Sequence, residues 1–302
     1  MELVSTVTGD GVRLDGALAR SDAPARGVLP VDLFICHHGV GNNFYDRRFY
    51  GPLRTLLLAA GCDVLCVNNR GHDLVYSQPV ADSVALRRTQ GRLGSAYEIL
   101  DDCRHDWSAW TEFAVAAGYE RIGLWGHSLG AVKTIYFLAK VPQARVRCAI
   151  ASSPPRFSHQ GMLASPQGSE FRAAFGRAQA HTEAGEHDAL MSVTVPALNL
   201  FSAGTFVDKY GREDRYDFFE LLPAVRTPLL VTLGGAEREG TFRSLAQKGT
   251  SLASEFKELA FELVPGADHY YSGHAAELWN AARNWLARFG STPPGGPLDL
   301  EA

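Results

Sequence analysis

From Asp32 to Ala151, short apolar runs alternate with longer amphipathic stretches. Before them, Leu3 to Val7 and Val12 to Leu18 flank the turn Gly9-Asp10-Gly11, which predicts a β-hairpin. A polar, proline-containing link, Ser21 to Pro30, follows. Asp32 to Cys36 then reads as a buried strand, and Asp46 to Ala60 as a helix with Phe49, Leu53, Leu56, Leu57 and Ala60 on one face. Val64 to Val67 is the next strand. Leu93 to Ala117 reads as one long helix stopped by Gly118. Arg121 to Trp125 is a strand, Leu129 to Ala139 a helix ended before Pro142, and Val146 to Ala151 a strand.

The rhythm breaks at Ser152 to Arg226, a stretch rich in Arg, Phe, Ser, Gly and Pro, and resumes with the strand Pro228 to Leu233. A helix over roughly Thr241 to Leu259, a strand at Ala260 to Val264 and a helix at Ala275 to Phe289 complete the pattern. Strands that are apolar almost throughout and alternate with helices predict an α/β fold, its mostly parallel sheet covered on both faces. Residues 1–151 and 227–290 are therefore expected to form the core, 152–226 an insertion, and 291–302 a mobile tail.

Composition narrows the classes. With 46% hydrophobic and 21% charged residues among 302, the chain can bury a large core, which excludes disorder throughout. Its 29 basic and 33 acidic groups give a net charge of −4, against a role resting on a dense positive face for nucleic acid. No apolar run is long enough to cross a bilayer. The opening residues lack the basic and apolar regions of a secretory signal. Cys36, Cys62, Cys66, Cys103 and Cys148 are odd in number and form no Cys-x-x-Cys pair, so free thiols in a reducing cytoplasm are expected.

Four segments carry candidate chemistry. Gly126-His127-Ser128-Leu129-Gly130 follows an apolar strand and opens a helix. A serine on such a sharp turn needs small neighbours, and the helix behind it offers free N–H groups to a developing negative charge. His37-His38-Gly39-Val40-Gly41 closes the first strand of the series, where the backbone N–H of Val40, or of Gly41, can join that of Leu129 in an oxyanion hole. Adjacent histidines on a strand point opposite ways and would not share a metal, so one is expected to hydrogen-bond within its loop. The loop Pro265 to His274 follows the last strand; His269 is favoured over His274 to reach Ser128. After Leu233, Glu237 is better placed than Glu239 to orient the imidazole, and Asp268 is poorly directed. The turn after Ala151 contains no acid.

The order Ser128…Glu237…His269, with an elbow serine and a His-Gly loop, resembles the α/β-hydrolase superfamily over residues 1–290. The insertion stands at that family's usual cap site, and Asn68-Asn-Arg-Gly-His72 is similar to its Arg-Gly-His-Gly loop, with Asn where Asp is usual. Dehalogenase and epoxide-hydrolase chemistry is set aside, because position 128 is Ser rather than Asp. The resemblance implies a serine hydrolase of small-molecule esters, thioesters or lactones that needs no cofactor or metal. A lyase or acyltransferase on the same residues, or a non-catalytic binding protein, is the alternative. Oligomeric state is not indicated.

Overall fold

In the computed structural model, residues 1–23, 27–80, 83–142, 144–237 and 256–290 are described, together with Gly249, Ser251 and Ala253. In chain order the strands are β1 (Glu2–Val7), β2 (Arg13–Ala19), β3 (Leu33–His37), β4 (Asp63–Val67), β5 (Tyr76–Ser77), β6 (Arg92–Leu93), β7 (Ile122–His127), β8 (Val146–Ser152), β9 (Leu190–Val193), β10 (Asn199–Ser202), β11 (Leu229–Gly234) and β12 (Leu259–Val264). The α-helices are α1 (Tyr50–Ala59), α2 (Val84–Arg88), α3 (Cys103–Ala116), α4 (Leu129–Lys140), α5 (His159–Leu163), α6 (Gly168–Glu183), α7 (Ala203–Lys209), α8 (Phe218–Leu221) and α9 (Ala275–Leu286).

Eight strands form one sheet in the order β1-β2-β4-β3-β7-β8-β11-β12. The opening hairpin pairs antiparallel, and β2 lies antiparallel to β4. From β4 to β12 every pairing is parallel. Both faces of the parallel part are buried, and alternate residues feed two separate cores. Leu33, Ile35, Leu124 and Val231 join α3 and α4 on one face; Phe34, Cys36, Trp125 and Leu230 join α1 and α9 on the other. This is the doubly covered α/β sheet expected from near-continuous apolar strands.

Two predicted helices start late. Residues 93–99 are not helical, and a 3-10 turn at Leu100–Asp102 leads into α3: Gly94, Ser95 and Ala96 donate their N–H groups to Arg70, Asp73 and Leu74 carbonyls at 3.0, 3.0 and 3.1 Å. Those bonds run to the loop after β4, so none is left for a helical ladder. Gly94 sits at φ +104°, with Leu74 O 2.5 Å from where a Cβ would stand. Likewise 46–49 is a turn rather than the start of α1, because the Asp46 carboxylate accepts the Arg48 N–H at 2.8 Å. The helix expected over 241–259 and the tail 291–302 fall largely or wholly outside the described residues.

Residues 153–225 hold α5 to α8 and the antiparallel hairpin β9–β10. Their aromatic side chains pack mainly on one another: Phe171 lies 5.8 Å from Phe175 and 6.2 Å from Phe206 between ring centroids, and Phe206 lies 5.0 Å from Tyr210. They belong to the same hydrophobic cluster as the α3–α4 face. Leu190 and Leu198, by contrast, are exposed. Polar bonds also tie the segment to the core: Ser202 N–H to Ala96 O at 2.7 Å and Leu100 N–H to Asp208 Oδ2 at 2.8 Å.

Arg70, 1% exposed, holds the loop after β4. Its guanidinium meets Asp10 at 2.7 Å and Asp106 at 2.8 Å, and its own N–H donates to Asp106 at 2.9 Å. The guanidinium holds the Asp10 carboxyl down to about 2 against the opposing effect of burial. Arg70→Leu leaves Asp106 buried without its counter-charge. It is expected to cost ~3–5 kcal/mol in urea unfolding, whereas removing an exposed ion-pair partner costs about 1 kcal/mol or less. Arg13→Leu, which breaks the exposed pair with Asp15, is the comparison; equal effects of the two would show that the buried cluster is not a stability element.

Candidate active site

Ser128 joins β7 to α4 at φ 56°, ψ −123°, a region L-residues rarely adopt. The surrounding backbone enforces it. A Cβ at Gly126 would stand 2.2 Å from Gly130 O, and one at Gly130 would stand 2.2 Å from His37 O. Both glycines are thus required by close approach of main chains. The Ser128 N–H donates to Ser152 O at the end of β8, 2.9 Å away.

The loops after β11 and β12 bring two further side chains to the serine. His269 Nε2 lies 3.0 Å from Ser128 Oγ, and His269 Nδ1 lies 3.0 Å from Glu237 Oε2. The Glu237 side chain is 2% exposed and that of His269 32%, so the row runs from a buried carboxylate to an accessible hydroxyl. The Nδ1–H tautomer places a donor on Glu237 and an acceptor on Ser128. The alternatives fare differently. His274 stands at the N-terminal boundary of α9 with no side-chain capping bond, and its Nδ1 is 2.9 Å from Ser272 O. The carboxylate of Asp268 accepts the Tyr270 and Ser272 N–H groups. Glu239 lies outside the described residues.

Glu237 is itself held. Its Oε1 accepts the Gly234 N–H at 2.8 Å and the Ser153 hydroxyl. Ser153 Oγ lies 3.1 Å from the Tyr271 hydroxyl, which lies 2.9 Å from Thr232 Oγ1. Thr232 Oγ1 donates to Ser152 Oγ at 2.9 Å, and so does the Trp125 indole at 3.0 Å. Ser153 and Tyr271 have φ 50° and 54°. Of the six non-glycine residues with positive φ among those described, three are therefore Ser128 and the two that support its row. His127 adds a second anchor: its Nε2–H donates to His269 O at 2.7 Å, and its ring stacks on Phe49 at 4.0 Å. Sequence reasoning missed these supports. Ser153 stands in a turn that holds no acid, and Tyr271 and His127 carry no local signature of their roles.

The His-Gly loop packs against the serine, with the Cβ site of Gly39 3.0 Å from Ser128 Cβ. Gly39 O accepts from His38 Nδ1 at 2.7 Å and from the Asn42 N–H at 3.4 Å. In a trans peptide the N–H of Val40 points opposite to that carbonyl. Leu129, the first residue of α4, presents an N–H with no partner inside the helix. As expected, one histidine of the pair bonds within the loop. The two rings do not diverge, however: they lie 5.8 Å apart at 9°, because His38 is already past the end of β3 and strand alternation no longer applies. Among the described residues no group of three His, Cys, Asp or Glu could hold a metal. Burial keeps His38 and His127 neutral, pushing both down to about 3.

Residues 34–282 match the sequence model of the alpha/beta hydrolase family. No curated protein matches. Among solved structures the fold is shared by an esterase of Pyrococcus furiosus at 16% identity and TM-score 0.61, over 96% of this chain and 91% of that one. Est1E of Butyrivibrio proteoclasticus with bound ferulic acid matches at 14% identity and TM-score 0.62, over 94% and 98%. The alpha/beta hydrolase GrgF of a Penicillium species matches at 15% and 0.65, over 96% and 99%.

The buried neutral histidines give a pH prediction. Below the ordinary histidine value of 6.5 the unfolded chain takes up protons that folded His127 refuses until about 3. Its contribution is thus complete above pH 6.5 and is lost as pH falls toward 3. His127→Gln, which keeps a donor for His269 O, is expected to flatten the acid-side slope of stability by about 1.4 kcal/mol per pH unit. Urea midpoints across that window check it; an unchanged slope contradicts a neutral His127. With a family model spanning most of the sequence and an elbow serine at the head of the helix after its strand, the chain belongs to the alpha/beta hydrolase family.

Proposed function

We propose that this protein is a serine hydrolase that cleaves a carboxylic ester, thioester or lactone of a small molecule through an acyl-enzyme on Ser128. The observation that carries the reading is the unbroken row Ser128–His269–Glu237, with 3.0 Å at each joint. Ser128 Oγ attacks the carbonyl carbon while His269 Nε2 takes its proton. Glu237 holds the Nδ1–H and stabilises the imidazolium that forms. The oxyanion is received by the N–H groups of Leu129 and Val40. Collapse expels the alcohol or thiol, protonated by His269, and water repeats the sequence to free the acid. The scheme uses no metal or cofactor.

The segment 152–226 acts as the cap of this site, because in open α/β sheets ligands bind beyond the carboxyl ends of the strands, where it is inserted. Its Arg156 is committed to Asp217 at 2.7 Å, while Arg172 and Arg177 are exposed. The mutual packing of Phe171, Phe175 and Phe206 makes them the cap's own core; any substrate selection falls to other cap residues. Five free, buried cysteines suit a reducing compartment, and the cytoplasm is our assignment. The neighbour described as an esterase of Pyrococcus furiosus supports the reaction class at the level of fold alone.

A panel of p-nitrophenyl esters tests the reading. Ser128→Ala is expected to lower kcat by about 10⁴-fold or more and to abolish fluorophosphonate labelling without unfolding, and Glu237→Gln to lower kcat by ~10²–10⁴-fold. Near-wild-type hydrolysis by Ser128→Ala would end the proposal. Transfer of the acyl group to an added alcohol in preference to water would make the protein an acyltransferase on the same residues.

A further inference from the structure

A line of buried polar groups runs from the insertion to the His-Gly loop. Lys209, on α7, and Lys133, on α4, have side chains 1% exposed, and Glu98 between them is fully buried. Lys133 is ion-paired with Glu98 Oε1, and Lys209 Nζ lies 3.3 Å from Glu98 Oε2. Lys133 Nζ also donates to Asn69 Oδ1 at 2.8 Å. Asn69 Oδ1 takes the Gly71 N–H as well, at 2.8 Å, which turns its Nδ2 toward the His38 ring, 3.2 Å from Nε2. With Nε2 accepting, the ring proton of His38 stands on Nδ1 and is given to Gly39 O at 2.7 Å. That carbonyl belongs to the peptide whose N–H is Val40.

Every link is buried, so each orientation fixes the next without competition from water. Stability does not account for the arrangement, since apolar side chains of similar size commonly serve as well as a buried ion cluster. The joint between insertion and core is its loosest member: among the described residues Lys209 Nζ and Glu98 Oε2 have no hydrogen bond of good geometry beyond their ion pair, and the ammonium also rests over Phe201, 4.7 Å from the ring centroid. Burial lowers the tendency of Lys209 to hold its proton, and Glu98 opposes that effect. A small movement of α7 would therefore be felt first at Glu98 and then along the line.

We propose that Lys209, Glu98, Lys133 and Asn69 are positioning residues for the oxyanion hole, transmitting the seating of the insertion through His38 to the Gly39–Val40 peptide. The inference rests on the ester-hydrolase reading for its kinetic consequence, but the coupling itself is open to measurement without substrate. Lys209→Met keeps the length of the side chain and removes its charge. The NMR resonance of the His38 Nδ1–H is expected to shift. For p-nitrophenyl acetate, kcat of the folded variant is expected to fall about tenfold, as small displacements of catalytic groups do, with KM little changed. Lys140→Met, at the exposed end of the same helix as Lys133, is expected to change neither. Lys209→Gln, which keeps a donor but no charge, should fall between Met and wild type in both readings and serves if the Met variant does not fold. A folded Lys209 variant with a wild-type His38 resonance, or with a shifted resonance and unchanged kcat, overturns the proposal. Wild-type protein without Ser128-dependent hydrolysis would sink the functional reading instead, and the resonance alone would then decide the coupling.

Discussion

The backbone of Ser128 is the constraint on which the structure turns. Its φ of 56° stands outside the conformations an L-residue favours, and such a turn persists only where its surroundings over-determine it. Here they do so on three sides. Gly126 and Gly130 let main chains approach to distances no side chain would allow. The end of β8 takes the Ser128 N–H, and α4 starts at the next residue. Because the turn cannot relax, the hydroxyl stays above the sheet, where loops from β3, β11 and β12 converge.

The rest of the site is built to meet that fixed point. His269 is set by its carbonyl, bonded to a neutral, buried His127, as well as by Glu237. Glu237 is set by Gly234 and Ser153, and Ser153 by a hydroxyl chain through Tyr271 and Thr232 to Ser152. The chain ends on β8, which also receives the Ser128 N–H, so Ser128 and Glu237 share one anchor.

Most of the architecture is legible in the sequence because it rests on local pattern. The apolar runs at Leu33–His37, Asp63–Val67 and Ile122–His127 are buried on both faces, as strands of a sheet covered by helices on either side must be. The residues 93–99 mislead, since the N–H groups of Gly94, Ser95 and Ala96 are taken by a loop some twenty residues upstream, which periodicity does not register. The row itself is readable from its positions: Ser128, Glu237 and His269 each stand just past the end of a strand. Its supports are not. Ser153 and Tyr271 gain their roles from residues distant in the chain, and a serine or a tyrosine in a loop has no pattern that marks it.

Acylation of Ser128 can be read by peptide-level mass spectrometry of protein quenched in acid during turnover of p-nitrophenyl acetate. The expected result is a single acetyl group on the peptide containing Ser128, absent when His269 is replaced by Ala. Sustained turnover with no acetyl group on Ser128, or with the group on another residue, would contradict it.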